Sequence, residues 1–296
     1  MATQDRPRLL VLGRTGQVGT ELERALAPLG EVVAVGRERA DLARPETLRA
    51  LARELMPRVI VNAAAYTAVD KAEQEEALAL RVNGEAPGVL AEEARRAGAL
   101  LVHYSTDYVF DGTKTGAYVE SDATAPLNAY GRTKLAGERA VQAVGGAHLI
   151  FRTSWVYGAH GRNFYLTMRR LLRERSEVRV VADQVGAPTW SRTIAEATAE
   201  AVARLLPGAD PEASGIYHLA AAGETSWFGF AQAILALHPP PAGEAPPRLV
   251  PIPASEYPLP ARRPHNSRLD CGKLRARFGV VLPDWKAALA QVAQAG

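Results

Sequence analysis

Short unbroken apolar runs alternate along the first half of the chain with longer stretches whose apolar residues recur at helical spacing. Residues 8–12 (RLLVL), 31–35 (EVVAV), 58–62 (RVIVN), 100–105 (LLVHYS) and 148–153 (HLIFRT) show little polar alternation. Strands of that kind are buried on both faces, which predicts a parallel sheet covered by helices. Between them, 17–28, 45–55, 70–97 and 129–144 read as helices rich in Glu, Arg and Ala. Such alternation implies right-handed crossovers and an α/β fold of the Rossmann type, a doubly wound parallel sheet.

After residue 155 the rhythm changes. Residues 163–175 read as one amphipathic helix carrying Phe164, Met168, Leu171 and Leu172, followed by a strand and loop over 178–190. Helices are expected at 191–206, 226–237 and 284–294, and a strand at 215–219. The proline-rich stretch 238–247 (HPPPAGEAPP) reads as an exposed connector.

Composition narrows the function classes. Charged residues are 23% of the chain, hydrophobic residues 47%, and the formal net charge is +3. That is an ordinary globular balance, with no reason to expect a nucleic-acid or membrane partner. Cys271 is the single cysteine, so neither an intrachain disulfide nor a CxxC pair is possible. The expected location is a reducing cytoplasm. The apolar run Leu9–Leu12 is too short for a signal peptide, which needs about 7–15 such residues.

Gly13-Arg14-Thr15-Gly16-Gln17-Val18-Gly19 follows the first strand and opens the first helix. Small residues there permit a tight turn and let backbone approach a pyrophosphate, while the helix N-terminus offers unpaired N–H groups. A dinucleotide cofactor is therefore expected. At the end of the second strand the chain reads Val35-Gly36-Arg37-Glu38-Arg39. Gly36 leaves space and Arg37 can pair with a 2′-phosphate, which favours NADPH, with NADH possible.

Tyr130-Gly131-Arg132-Thr133-Lys134 sets a phenol and an ammonium at i,i+4 on one helix face. A free phenol is a poor acid near neutrality, and a nearby cation lowers its pKa. The sequence has only five Lys among its 35 basic residues, so a lysine here suggests a use for a compact ammonium. Thr106, at the carboxyl end of the fourth strand, can hydrogen-bond a substrate oxygen together with the phenol. Ser105 points to the other face and reads as structural.

These motifs resemble those of the extended short-chain dehydrogenase/reductases. The resemblance spans nearly the whole chain, through GRTGQVG (13–19), VNAAAYTAVDKAE (61–73), VHYSTDYVFDG (102–112), PLNAYGRTKLAGE (126–138), FRTSWVYG (151–158), DQVGAPT (183–189) and RPHNSRL (263–269). Within that family it is closest to the members that reduce the C4 ketone of dTDP-4-dehydro-L-rhamnose. The resemblance implies Tyr130 as proton donor, Lys134 as ribose ligand and tuner of the phenol, and Thr106 as orienter of the carbonyl. It implies cofactor contacts from Gly13, Gly16, Gln17, Val18, Arg37, Asp41, Leu42, Ala64, Ala65, Tyr66 and Thr67. Thr106, Asp107 and Trp155 would contact a sugar nucleotide, no metal is implied, and the chain would be a monomer or homodimer.

On this reading residues 1–155, completed by 189–219, form the NADP-binding domain. Residues 156–188 and 220–296 form a smaller C-terminal α/β substrate-binding domain. The alternatives are another sugar-nucleotide epimerase or reductase of the superfamily and a non-catalytic dinucleotide-binding subunit. Thr106-Asp107-Tyr108 lacks the Asp-Glu pair usual after the threonine in dehydratases. Arg263 and Asn266 are weighed as diphosphate contacts, and the scattered histidines offer no i,i+4 metal pair.

Overall fold

The protein's structure, a computed structural model, describes residues 6–206 and 211–295. Residues 1–5, 207–210 and 296 of the expected domain ranges lie outside the described residues. Six strands form one parallel sheet: β1 (Arg8–Leu12), β2 (Glu31–Val35), β3 (Val59–Asn62), β4 (Leu100–Thr106), β5 (His148–Thr153) and, late in the chain, Gly215–His218. Their spatial order is Gly215–His218, β5, β4, β3, β1, β2. The central strands β3, β4 and β5 are buried at every position because both faces are covered. Leu9 and Val11 of β1 enter a core with Leu22 and Leu26 of α1 (Gln17–Leu26). Leu10 and Leu12 enter the opposite core with Leu48 and Leu51 of α2 (Pro45–Leu55). This is the doubly wound α/β fold.

The stretch 70–97, one helical pattern in sequence, is broken. It forms the short helices Val69–Ala72 and Glu76–Leu80, a π-helical turn Arg81–Glu85, and then α3 (Ala86–Ala97). Pro87 has no N–H to return to the Asn83 carbonyl, and a wide turn there absorbs the missing bond. The freed segment packs against α4 (Ala129–Val144), where a Cβ at Gly137 would stand 2.1 Å from the Asn83 carbonyl oxygen.

A third core lies beyond β5. It gathers Tyr157, then Tyr165 and Met168 of α5 (Phe164–Glu174), Trp190 ahead of α6 (Ser191–Leu205), Phe230 of α7 (Trp227–Leu237) and Trp285. Beside it, strand Glu177–Val181 pairs in parallel with Arg248–Ile252, a strand the short, proline-containing RLVPI pattern did not predict. Among the described residues no helix is long and apolar enough to cross a membrane.

β1 lies between β2 and β3, so successive crossovers leave it in opposite directions. At such a switch point the carboxyl ends of the strands open onto a crevice where ligands bind in this kind of fold.

Candidate active site

The glycine loop sits at that switch point. Gly13 takes φ +87°, and the Gly13 and Arg14 amides donate to the Val35 carbonyl at 3.0 and 3.2 Å. A Cβ at Gly13 would lie 2.8 Å from the Ala64 amide nitrogen, and one at Gly19 only 2.0 Å from the Gly13 carbonyl oxygen. Side chains would therefore fill the cradle. Gly16 caps α1 with no side-chain hydrogen bond, leaving first-turn N–H groups free for an anion. Such a cradle fits a dinucleotide pyrophosphate.

Around the cradle, the Gln17 side-chain oxygen accepts from Asn163 Nδ2 at 2.7 Å, tying the loop to the start of α5. Val18 packs on the core. Ala64 and Ala65 are half-buried and Thr67 exposed, with the Ala64 amide donating to Asn62 Oδ1 at 3.3 Å. Asn83 clamps Tyr66, accepting from its amide at 2.8 Å and donating to its carbonyl at 3.0 Å. At the end of β2, Arg37 is exposed and donates from Nε to Asp41 Oδ2 at 3.2 Å, while Leu42 is buried. Glu38 folds back so that its Oε1 accepts from the Gly36 amide at 3.1 Å. The space opened by Gly36 is thus taken by a carboxylate.

The chemistry-bearing hydroxyls meet at the carboxyl end of β4. Asn128 caps α4, its Oδ1 accepting from the Gly131 amide at 2.8 Å, which fixes Tyr130 in the first turn. A Cβ at Gly131 would stand 2.2 Å from the Tyr108 carbonyl oxygen, so this turn lies directly on the segment after β4. The Tyr130 phenol then faces the Thr106 hydroxyl. Thr106 Oγ1 accepts from the Tyr108 amide at 3.2 Å and reaches Asp107 Oδ1 at 3.1 Å. The Tyr108 ring stands edge-on to Tyr130, centroids 5.7 Å apart.

Lys134 lies one turn further along α4, buried. Its ammonium donates to the Tyr104 carbonyl at 2.5 Å and stands 3.5 Å from His103 Nε2. Burial pushes Lys134 down to about 8, and the Glu138 carboxylate opposes that shift. His103 is held well below its ordinary pKa, by burial and then by the Lys134 charge. Tyr130 departs from the expectation of an acidified phenol. Burial and then the Asp107 charge raise it to about 12, and only the Thr106 hydrogen bond lowers it. The Lys134 ammonium is committed to a backbone carbonyl rather than to the phenol.

Trp155 follows β5 at φ +48° with one indole face stacked on Trp227, so that face is closed to a sugar. Arg263 is bound bidentately to Asp70 at 2.7 and 2.8 Å and hydrogen-bonds the Tyr108 side chain. Asn266 is spent on the Lys114 and Gly116 carbonyls at 2.7 and 2.8 Å, a loop-holding role. Ser105 donates to Glu138, itself in a buried bidentate pair with Arg152.

The family model described as "RmlD substrate binding domain" matches residues 7–296. A dTDP-4-dehydrorhamnose reductase from Burkholderia thailandensis is 56% identical over 287 residues, covering 95% of this chain and 96% of its own. The chain belongs to the dTDP-4-dehydrorhamnose reductase family. The reductase of Escherichia coli K12 is 47% identical over 292 residues, with 94% of each chain covered. A dTDP-4-dehydrorhamnose reductase from Bacillus anthracis, solved in complex with NADP, superposes with a TM-score of 0.90 at 32% identity, covering 98% of this chain and all of that one. The sequence resemblance to the extended short-chain dehydrogenase/reductases thus narrows to this reductase family.

Within the reductase site the sequence motifs missed several partners. Asn62, His103 and Asn83 are buried polar residues that no spacing pattern marks, yet they hold Lys134 and Tyr66. Trp227 and Gly186 set the Trp155 indole; only a Trp at a helix start and a Gly in DQVGAPT hinted at them. Among the described residues, no group of three or more His, Cys, Asp or Glu side chains is placed to hold a metal ion.

Proposed function

We propose that the chain reduces the C4 ketone of dTDP-4-dehydro-L-rhamnose to dTDP-L-rhamnose with NADPH. The observation that carries the reading is the meeting of the Tyr130 phenol and the Thr106 hydroxyl at the carboxyl edge of the sheet, beside the glycine cradle. The match to named reductases over nearly the full chain supports the substrate class.

Bound NADPH supplies the hydride. Gly13, Gly16, Gln17 and Val18 at the first turn of α1 would hold its pyrophosphate, Arg37, Asp41 and Leu42 its adenosine side, and Ala64, Ala65, Tyr66 and Thr67 its ribose. Thr106 hydrogen-bonds the C4 oxygen and orients it. Tyr130 is fully protonated at neutral pH, so it is ready to give its proton as the alkoxide forms. Lys134, one turn further along α4, would hold the nicotinamide ribose. Asp107 and Trp155 border the sugar-nucleotide side. Residues 1–155 with 189–219 serve the cofactor, and 156–188 with 220–296 serve the sugar nucleotide.

The test follows NADPH absorbance with dTDP-4-dehydro-L-rhamnose beside its UDP and GDP counterparts. Turnover with the dTDP sugar, lost by at least about 100-fold in Tyr130→Phe while NADPH still binds, is the expected result. A Tyr130→Phe rate near wild type overturns the acid assignment.

A further inference from the structure

We propose that His103 is a positioning residue for Lys134: Asn62 fixes the single ring hydrogen of His103 on Nε2, so the imidazole takes no hydrogen from the ammonium and leaves it free to hold the nicotinamide ribose. The proposal rests on the reading above that Lys134 holds that ribose.

The three side chains are brought together by topology. Asn62 ends β3 and pairs in register with His103 of β4, so both stand on one face of the sheet. Lys134 arrives on that face from α4. All three are buried, so their polar atoms find partners in one another or in nearby backbone.

The order of donors follows from one group whose role is certain. The Ala64 amide is a backbone N–H, which only donates, and it points at Asn62 Oδ1 at 3.3 Å. Turning the Asn62 amide over would set two donors against each other. Asn62 Nδ2 therefore faces His103 Nδ1, at 3.2 Å, and the ring nitrogen that receives its hydrogen is bare. A neutral imidazole carries one hydrogen, which is then on Nε2. That nitrogen stands 3.5 Å from Lys134 Nζ, beyond the ordinary range of a hydrogen bond. Donor faces donor there, and no hydrogen is shared.

The consequence falls on the ammonium. It has three hydrogens, and the Tyr104 carbonyl takes one. Among the described residues no other group accepts from it, so two hydrogens remain for ribose hydroxyls. The opposite tautomer would turn a lone pair toward Lys134. It would take one of those hydrogens in a charge-assisted bond and draw the side chain back against β4.

The charges around the ammonium agree with hydrogens left unmatched. Burial pushes Lys134 down to about 8. From its own helix the Glu138 carboxylate opposes the shift, and Glu138 is itself paired with Arg152. Tyr130, one turn back, is a neutral phenol. β4 presents the neutral His103, and β3 the uncharged Asn62. Below pH 8 Lys134 is thus an ammonium. Above it, a neutral amine has a lone pair that accepts from His103 Nε2–H.

The test uses 15N-labelled histidine in the cofactor-free protein, with the His103 ring assigned by correlation to its backbone. At pH 7 the ring shifts should place the hydrogen on Nε2. Asn62→Asp replaces the donor with a second acceptor and should move the hydrogen to Nδ1. A hydrogen on Nδ1 in wild type, or one that stays on Nε2 in the variant, overturns the proposal. NADPH binding, followed by nucleotide fluorescence without any sugar, should weaken about tenfold in Asn62→Asp, the loss of one hydrogen bond to a charged group. In a His103→Phe background, which has no tautomer, the same substitution should change the NADPH Kd by less than about twofold. A moved hydrogen with an unchanged Kd overturns the proposal. So does an equal loss in both backgrounds, which would assign the effect to the added charge. If the variants do not fold, wild type decides alone: the Nε2–H signal should shift and NADPH affinity fall around pH 8. A signal that does not move overturns the proposal. Unchanged NADPH affinity in Lys134→Met instead overturns the ribose reading beneath it.

Discussion

The Trp155 indole lies flat on that of Trp227, ring centroids 3.5 Å apart and planes 8° from parallel, while the Trp155 backbone sits at φ +48°. A bulky residue in the left-handed region costs on the order of 1–3 kcal/mol and persists only where its surroundings over-determine it. Three contacts do so here. Phe164 backs the Trp227 ring at 4.7 Å, the Thr189 amide donates to the Trp155 carbonyl at 3.1 Å, and Gly186 leaves room for the indole. A Cβ at Gly186 would fall 2.7 Å from Trp155 Cε2.

Trp227→Ala should therefore act on the sugar side and not on the cofactor side. Aromatic stacking is worth about 0.5–1.5 kcal/mol beyond area burial, so removing it lets Trp155 relax and should raise the KM for the sugar nucleotide roughly fivefold. The KM for NADPH should move by less than about twofold, and Trp227→Phe should recover most of the loss. Steady-state kinetics with each substrate varied in turn separates these; equal rises in both KM values would show that the stack only supports the fold.

Cofactor choice depends on which charge meets the adenosine ribose. Glu38 folds onto the Gly36 amide; hydrogen bonds from its own amide and then that of Gly36, with the Arg14 and Arg39 charges, keep its carboxyl below the usual range. The carboxylate is thus ionised at working pH, beside the place where a 2′-phosphate would arrive. Glu38→Gln should raise the NADPH-over-NADH ratio of kcat/KM by several-fold, because it removes a repulsion that solvent only partly screens. Arg37→Ala should lower the same ratio. A ratio unchanged in both variants would place the discrimination elsewhere.

The sheet was legible because each central strand is buried on both faces: in β1, Leu9 and Val11 serve one core while Leu10 and Leu12 serve the other. The glycine loop was legible because its spacing coincides with a strand–helix junction. Pro87 was visible too, but its effect was not, since the π turn before it depends on Gly137 approaching the Asn83 carbonyl from another helix. Tyr130 and Thr106 could be named from motif, whereas the phenol's environment could not. Its raised pKa comes from burial and Asp107, and both are products of packing. Trp227 lies far along the chain from Trp155, and no local pattern links them.

Acid should find a specific weakness at His218. The ring is buried, with Nδ1 at 3.0 Å from the Tyr118 carbonyl, so it is the neutral Nδ1–H form that fits. Burial and then the Arg152 charge lower it to about 3, against an ordinary value near 6.5. Between those values the unfolded chain binds the extra proton. Stability from this group is therefore complete above about pH 6.5 and lost as pH falls toward 3, by up to about 1.4 kcal/mol per pH unit. His103, also held low by burial, adds to the same slope. Urea unfolding of wild type and His218→Gln at pH 7, 6, 5 and 4 should show a shallower decline in the variant; parallel curves would contradict the assignment.

The two ends of α4 predict opposite consequences for the same substitution. At Gly131 an added Cβ meets the Tyr108 carbonyl oxygen at 2.2 Å and Pro126 Cβ at 3.0 Å, and a backbone carbonyl cannot step aside as a flexible side chain can. Gly131→Ala should push the first turn of the helix away from Thr106 and carry Tyr130 with it. Misplacement of about 1 Å at a reacting group can cost about 100-fold in rate, so kcat should fall by 10- to 100-fold, roughly, with little change in NADPH affinity. At Gly145 the helix ends in the left-handed conformation, φ +72°, with nothing within 4 Å of an added Cβ. Gly145→Ala should therefore cost about 1–2 kcal/mol of stability from backbone strain alone and leave kcat unchanged. Melting temperatures and single-turnover rates of the pair decide it: loss of rate at both ends would mean that helix stability, not the placement of the phenol, limits the reaction.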